Sequence, residues 1–168
     1  MPPEYPHDHR HFLPGISAAE WETMLGYLEE TRFAAGTRLY EPGGSDRLLA
    51  DRALVFLRSG RVGVQPVDRE LEIAIVPPAV LGRAAFFTGE VLFFRESVVL
   101  EDSDTLVLTK DAFGRLSADH PRLALLLAMD TASELALTVS GAADALLARG
   151  IQVPSGDAPA DPAPGLTA

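Results

Sequence analysis

The hydrophobic positions near the start of the chain follow the period of an α-helix. In "SAAEWETMLGYLEE" the apolar residues recur at the spacing of one helical face: Trp21, Met24, Leu25 and Leu28. Ser17 stands before this run with Glu20 three residues after it, which is the pattern of a capping box. The sequence therefore predicts an amphipathic helix over residues 17–30.

From Phe33 the pattern changes to short apolar runs separated by turn residues. The runs are "TRLYEPGG", "RALVFLRSGRVGVQPV", "LEIAIVPPAVLG", "FRESVVL" and "DTLVLT". Within the second run, Ser59 and Gly60 separate two apolar stretches, and this pair favours a hairpin because glycine adopts positive φ freely. Several short strands at this spacing indicate an all-β sandwich or barrel.

Helical patterning returns after Thr109, which is placed to cap a short helix in "TKDAFGRL". Pro121 suits the first position of a long helix that extends to about Arg149, with Gly150 as its stop. Mostly small residues form a seam along this helix: Leu125, Met129, Ala132, Ala136, Val139, Ala143 and Leu146. The seam fits two arrangements, packing against the chain's own barrel or a homodimer contact through helix 121–149.

These patterns divide the chain into three parts. Residues 1–15 are expected to be an irregular lead, and residues 150–168, rich in Pro and Ala, a disordered tail. The domain between them, residues 16–149, contains the helix at 17–30, strands over 33–109 and C-terminal helices over 110–149.

The charge of the chain opposes binding to a polyanion. Its 24 acidic and 14 basic residues give a formal net charge of −10, and the basic residues are spread singly. Because nucleic-acid binding needs a basic face, we expect no nucleic-acid partner. The residues after Gly150 are also too rich in Pro, Ala, Gly and Asp for a DNA-recognition helix.

The apolar runs are short of the length that a membrane-spanning helix needs. The best of them, "LALLLAM", stops at Asp130, and "MPPEYPHDHRHF" lacks the apolar region of a secretory signal. We therefore expect no membrane span and a cytoplasmic location.

The sequence gives no pattern typical of an enzyme. It has no cysteine, no nucleophile elbow, no P-loop and no dinucleotide fingerprint. The "HDHRH" lead could bind a metal, but an unstructured lead is the simpler interpretation, and no metal site is expected. A metal-dependent cupin needs histidines inside its barrel; three of the four here lie in the lead and the fourth is His120, so a cupin-like enzyme is a remote alternative.

The order of these elements resembles the cyclic nucleotide-binding domain family, which includes catabolite-activator-like sensors. "FAAGTRLYEPGG", "ALVFLRSGRVGV", "VLGRAAFFTG" and "SVVLEDSDTLVLTKDAFGRLSADHPRLALLL" match its successive parts, over about two-thirds of the chain. "FFTG" is also faintly similar to the version appended to bacterial sulfate-transporter-like proteins. The resemblance implies a mainly β fold, an eight-stranded β-roll or jelly roll (a double-stranded β-helix), with an N-terminal helix and a long C-terminal helix.

The family binds its ligand through a cassette that reads roughly Phe-Gly-Glu-(Leu/Met)-Ala-Leu, then Pro-Arg-x-Ala-Ser/Thr-Val. Its glutamate accepts a hydrogen bond from the ribose, and its arginine pairs with the cyclic phosphate. Here Gly82 is kept and Ala85 fits the small position, but Arg83 stands where the ribose-binding glutamate would be. A guanidinium has only donors, so it cannot accept a hydroxyl hydrogen bond.

The phosphate-binding arginine also has no clear counterpart. Counting forward from Gly82 reaches Leu92 and counting back from "SVV" reaches Phe94, because this loop is two residues longer than usual. Arg95 is one position off the nearer register, which in a strand means the opposite face. The loop between Gly44 and Gly60 is also longer than usual and is expected to be a solvated charged turn.

The candidate residues follow from this alignment. The candidate ligand contacts are Gly82, Arg83, Ala84, Ala85, Arg95 and Ser97, and the residues expected to plug the pocket are Leu92, Phe93 and Phe94. Arg83 and Arg95 could form a rearranged anion site, or each could pair with Glu90 or Glu96 at the surface.

We therefore expect a regulatory module of this fold, without a cofactor, that has lost or altered nucleotide binding and acts on an unknown protein partner. The alternative is a genuine sensor of a cyclic nucleotide or another small anion.

Overall fold

The computed structural model describes residues 9–41, 48, 53–67, 70–89 and 94–148. After a 3₁₀ turn at His9–His11, the helices are α1 Ala18–Leu25, α2 Arg83–Thr88, α3 Lys110–Asp119 and α4 Pro121–Ala148. The strands are β1 Glu29–Phe33, β2 Arg38–Tyr40, β3 Leu54–Leu57, β4 Arg61–Pro66, β5 Ile73–Ile75, β6 Ala79–Leu81, β7 Phe94–Glu101 and β8 Ser103–Leu108. By contact density the chain divides into two compact units, Met1–Ser133 and Glu134–Ala168.

The eight strands form two antiparallel four-stranded sheets. The first sheet has the order β1-β8-β3-β6 and the second the order β2-β7-β4-β5. Each sheet pairs strands that are far apart in sequence, β3 with β8 and β4 with β7, as a roll requires. The predicted eight-stranded β-roll with flanking helices is confirmed.

The core consists of two clusters that share the first sheet. Alternate residues of β3 point to opposite faces, so Phe56 enters an outer cluster between this sheet and the helices. Val55 and Leu57 enter an inner cluster, which also contains Val62 and Val99 of the second sheet. The inner cluster thus fills the space between the two sheets.

Helix α1 begins as predicted but ends earlier. The Ser17 hydroxyl accepts from the Glu20 N–H (3.3 Å), and the Glu20 carboxylate accepts from the Ser17 N–H (2.9 Å), so the capping box is present. The helix ends at Leu25, five residues short of the predicted residue 30. The segment that follows joins the first sheet as β1 instead, from Glu29 onward.

The end of the irregular lead is part of the core. Phe12 and Leu13 are almost fully buried in the outer cluster, and the Phe12 ring stacks on Trp21 (6.0 Å between centroids). The prediction of an irregular lead over residues 1–15 missed this packing, because two apolar residues next to a His-rich stretch show no period. Residues 1–8, the predicted 45–52 insertion turn except Leu48, and the tail from 150 lie outside the described residues.

A turn lies at Ser59-Gly60 as predicted, but the hairpin predicted there is wrong. The strands that the turn connects belong to different sheets: β3 pairs with β6 and β8, and β4 pairs with β5 and β7. Gly60 has φ of 81°, and a Cβ there would lie 2.2 Å from Ser103 Oγ and 2.5 Å from the Asp102 carbonyl. A side chain at this position would meet both backbone strain and a clash, so glycine is required.

Helices α3 and α4 begin where the sequence predicts. The Thr109 hydroxyl accepts from the Ala112 N–H (3.2 Å), and Pro121 is the first residue of α4. Up to Ser133, α4 buries Leu123 and Leu127 in the outer cluster, while Leu125 and Met129 of the predicted seam are exposed. This part of the seam therefore does not pack on the chain's own roll.

In the second unit, the residues of α4 from 134 to 148 leave large apolar side chains exposed, Leu137 and Val139 among them. By length and composition, the stretch Pro121–Ala142 is also apolar enough to cross a membrane. A single helix of this kind is weak evidence, since helices of ordinary globular proteins pass the same test.

Candidate functional site

The cassette folds into a short helix flanked by two left-handed glycines. Gly82 (φ 83°) precedes α2 and Gly89 (φ 85°) follows it. The Gly82 carbonyl accepts from the Phe86 N–H (2.8 Å), and Phe86 and Ala85 are buried. The Gly–helix–Gly outline seen in the sequence is therefore present, and its apolar side is anchored in the outer cluster.

Arg83, the first residue of α2, is held by contacts inside the protein. Its Nη1 forms an ion pair with the Asp130 carboxylate on α4, and its Nη2 donates to the Phe12 carbonyl (3.2 Å). The side chains of Arg83 and Asp130 are only 16% and 19% exposed. Among the described residues Arg83 thus pairs with Asp130 and not with Glu96, and the predicted alternative partner Glu90 lies outside the described residues.

Arg95 lies at a β-bulge between β4 and β7. Gln65 pairs with Glu96 but Pro66 pairs with Phe94, so Arg95 is the extra residue. The bulge lets Phe94 pack against the inner cluster, while exposed Arg95 donates from Nη2 to the Val67 carbonyl (2.7 Å). Arg83 and Arg95 thus have different partners, and neither of these described contacts joins them in an anion site.

Part of the predicted plug lies in the described structure. Phe94 meets Tyr40 edge to face (5.8 Å between centroids), and both pack against the inner cluster. Phe94 therefore occupies space between the sheets. The other two plug residues, Leu92 and Phe93, lie outside the described residues.

Ser97 is the one candidate ligand contact with an unsatisfied polar group. It is 0% exposed, and its hydroxyl has no hydrogen-bond partner. Ser97 lies two residues before Val99 on β7, so the two side chains point to the same face of the sheet. Because Val99 belongs to the inner cluster, the Ser97 side chain faces the interior. A buried hydroxyl without a partner costs about 1–3 kcal/mol, and a polar ligand group could satisfy it.

Arg58 is a second buried arginine, which the sequence reasoning did not single out. Its side chain is only 7% exposed and its Nη1 lies 3.0 Å from the Glu30 carboxylate on β1. Burial lowers the pKa of Arg58, and the charge of Asp104 opposes that shift. These contacts tie the β3–β4 turn to β1 and give the residue a structural role.

Solved bacterial protein structures share this geometry. The catabolite activator protein of Thermus thermophilus superposes with a TM-score of 0.62 at 20% identity, over 82% of this chain and 62% of its own. A cyclic nucleotide-binding domain from Methylobacillus flagellatus gives 0.60 at 17% identity, over 84% and 77%. The N-terminal domain of a transcriptional regulator from Streptomyces coelicolor gives 0.58 at 17%, over 74% and 87%.

The chain has the cyclic nucleotide-binding domain fold. At these identities the likeness shows the fold alone, and the chain spans less than two-thirds of the catabolite activator protein. No protein-family model matches the chain, and no curated protein does.

The cyclic nucleotide-binding fold makes the positions of the candidate residues comparable with those of the family. Gly82, Ala84 and Ala85 lie at the start of the cassette helix, where the resemblance placed them. Arg83, which the resemblance aligns with the ribose-binding glutamate, is turned to Asp130. Among the described residues, no group of three or more His, Asp or Glu could hold a metal ion.

Sequence reasoning missed the two partners of Arg83. Phe12 contributes a backbone carbonyl, which leaves no signal in the sequence. Asp130 did leave one, because it interrupts the apolar run "LALLLAM" on the helix that returns to the roll. An isolated carboxylate on an apolar helix indicates a buried partner of opposite charge.

Proposed function

We propose that this chain is a regulatory module of the cyclic nucleotide-binding fold that has lost nucleotide binding and acts through protein contacts in the cytoplasm. The observation that carries the proposal is the Arg83–Asp130 ion pair, because it commits the residue at the ribose-binding position to an internal contact. The proposal assigns the chain no catalytic role.

Two properties of Arg83 oppose nucleotide binding at this cassette: its lack of a hydrogen-bond acceptor and its ion pair with Asp130. A guanidinium cannot accept the ribose hydroxyl. If it turned toward a phosphate instead, it would leave the Asp130 carboxylate largely buried without its partner. Breaking a fully buried pair costs about 3–5 kcal/mol, so most of the gain from a new phosphate contact would be lost.

The space between the sheets is also less suited to a polar ligand. Phe94 and Tyr40 fill part of it, and the bulge places Arg95 at the surface. An anionic ligand would therefore enter a largely apolar site without either arginine of the cassette region to pair with it. Burial of an unpaired phosphate in such a site is unfavourable.

The cassette helix is nevertheless connected to the C-terminal helices. Phe86 and Phe87 of α2 meet Phe113 of α3 edge to face, at 5.2 and 5.7 Å between centroids. Lys110 Nζ lies 4.1 Å from the centre of the Phe86 ring. A partner that moves α3 would therefore also act on α2, which supports a role in signalling through protein contacts.

A second candidate function is a genuine small-ligand sensor, and Ser97 is the observation that favours it. Its buried hydroxyl faces the interior without a partner, as a ligand contact would in the free protein. A cyclic nucleotide or other small anion that reached this position would gain that hydrogen bond.

Thermal unfolding with millimolar cyclic AMP or cyclic GMP separates the two functions. A ligand at 100 times its Kd stabilises by about 2.7 kcal/mol, which raises the midpoint measurably. The proposed module should show no shift. A shift that disappears in Ser97→Ala would establish the sensor and overturn the proposal.

A further inference from the structure

The four edge strands of the two sheets differ in how they are protected. Edge strand β1 carries charged residues at Glu29, Glu30 and Arg32, and edge strand β2 carries Arg38. Charges on an edge discourage pairing with another chain. Edge strands β5 (Ile-Ala-Ile) and β6 (Ala-Val-Leu) contain no charge. The β6 residues are half-buried or buried, whereas Ile73 and Ala74 of β5 are exposed, so β5 is the better template for a further strand.

The surroundings of β5 expose aliphatic side chains. Leu71 is 69% exposed and Val76 56%, on either side of the strand, and Ile73 and Val67 are also exposed. Exposed aliphatic residues gathered along one sheet edge are typical of a surface that another protein covers. We call this region the β5 edge, comprising residues 70–76.

An acidic groove of about 240 Å³ lies beside the β5 edge, on the outer face of the second sheet. The described residues that line it are Gly63, Gln65, Glu70, Glu72, Glu96 and Val98. Gly63 leaves room for Glu72, whose carboxylate would come within 2.8 Å of a Cβ there. These lining residues include three carboxylates and no arginine or lysine. In the described part of the chain, Glu96 of this group forms an ion pair with Arg38 Nε, at 3.7 Å.

The charges and the sequence of residues 70–73 together indicate which kind of segment would bind at the β5 edge. In residues 70–73 the glutamates Glu70 and Glu72 alternate with Leu71 and Ile73. Both glutamates line the acidic groove, whereas the two exposed aliphatic residues do not. A second copy of this chain paired at the same edge would bring its own Glu70 and Glu72 against this acidic groove, which opposes pairing of two copies there. The complementary occupant is an extended segment in which basic and aliphatic residues alternate.

We propose that the β5 edge binds an extended segment of a partner protein by adding it as a strand. The backbone of the segment pairs with β5, its basic side chains lie over the acidic groove, and its aliphatic side chains cover Leu71 and Ile73. This inference rests on the proposed function, since it names the class of partner for a module that acts through protein contacts.

The test uses the full chain and a fluorescently labelled decapeptide of alternating valine and arginine with blocked ends. Fluorescence anisotropy should show saturable binding, and hydrogen exchange should show slower exchange at residues 71–76. Glu72→Lys should weaken binding about tenfold or more, because it places like charges together. The matched control Glu29→Lys makes the same charge change on the exposed β1 edge and should leave binding close to that of the unaltered chain.

Four results would overturn the inference. They are no binding at millimolar peptide, equal binding of a peptide with the same residues in two blocks, equal weakening by Glu29→Lys, or equal binding of a peptide N-methylated at alternate residues. The last would exclude backbone pairing. A nucleotide-induced rise in the unfolding midpoint would refute the loss of nucleotide binding alone, so the two proposals fail separately.

Discussion

Removing the Asp130 carboxylate should destabilise the protein more than removing any surface carboxylate. In Asp130→Ala the Arg83 guanidinium keeps its burial and its hydrogen bond to the Phe12 carbonyl, but it loses its counter-charge. A charge that is largely removed from water and unpaired is costly, because the protein interior solvates it poorly. Either the Arg83 guanidinium then stays buried without Asp130, or α2 moves so that the guanidinium reaches solvent.

The magnitude follows from the exposure of the pair. Fully exposed pairs contribute about 0–1 kcal/mol, and breaking a fully buried pair costs about 3–5 kcal/mol. The side chains of Arg83 and Asp130 are 16% and 19% exposed, so the expected loss lies between these limits, at about 2 kcal/mol. For a domain of this size that corresponds to a fall of about 4–8 °C in Tm.

Urea unfolding followed by Trp21 fluorescence measures this loss. Trp21 is the only tryptophan, and its ring stacks on Phe12, next to the carbonyl that Arg83 binds. The matched control is Glu101→Ala, which makes the same charge change in an exposed pair with Arg61 and should cost under about 1 kcal/mol.

The reasoning would be refuted if Asp130→Ala and Glu101→Ala lowered the free energy of unfolding equally. The double variant Arg83→Met/Asp130→Leu adds a further check, because apolar residues of similar size can replace a buried pair without loss. It should recover most of the stability that Asp130→Ala loses.

Three further predictions concern other parts of the molecule. In urea unfolding, Ser97→Ala should leave the free energy of unfolding unchanged or raise it by up to about 1 kcal/mol, because the hydroxyl it removes has no partner. Ser103 is equally buried, but its hydroxyl donates to the Glu101 carbonyl (2.7 Å), so Ser103→Ala should lower the free energy of unfolding by about 1 kcal/mol. The Ala35 N–H (2.9 Å), and then Arg32, hold the pKa of Asp102 below its usual value. Its carboxylate therefore stabilises the fold above about pH 4 and this contribution is lost as pH falls through the folded pKa, so Asp102→Asn should flatten the acid limb of Tm against pH. A homodimer through helix 121–149 is one of the two arrangements that the seam fits, and it predicts that Leu137→Glu shifts sedimentation toward the monomer; a chain that is already monomeric would exclude it.

The parts of the fold that the sequence predicted are those with local signals. Ser17 and Glu20 lie three residues apart, Gly60 stands in a two-residue turn, and Thr109 caps the helix that follows it. Each acts within one turn of backbone, so the chain carries the information in neighbouring positions. The end of α1 could not be predicted, because "YLEE" (27–30) continues the helical pattern. In the structure Glu29 and Glu30 instead pair with β8 as part of β1, a tertiary contact that no local pattern specifies.

The candidate site was predictable in outline but not in its contacts. Arg83 finds its partner 47 residues away on another helix, and no local pattern specifies that distance. The position of Arg95 depends on a bulge, and a bulge reverses the faces that simple alternation assigns. The sequence indicated that both arginines are misplaced for a nucleotide, and the structure adds what each of them contacts.

The cassette shows why a retained shape is poor evidence for a retained ligand. Gly82 and Gly89 set the ends of α2, burial of Phe86 fixes its inner side, and the Arg83–Asp130 pair ties its first turn to α4. None of these contacts needs a nucleotide, so selection for a stable fold alone would preserve the loop. The same argument gives the clearest expectation for the proposed module: weakening the Arg83–Asp130 pair should loosen the cassette in hydrogen exchange, and adding nucleotide should not restore its protection.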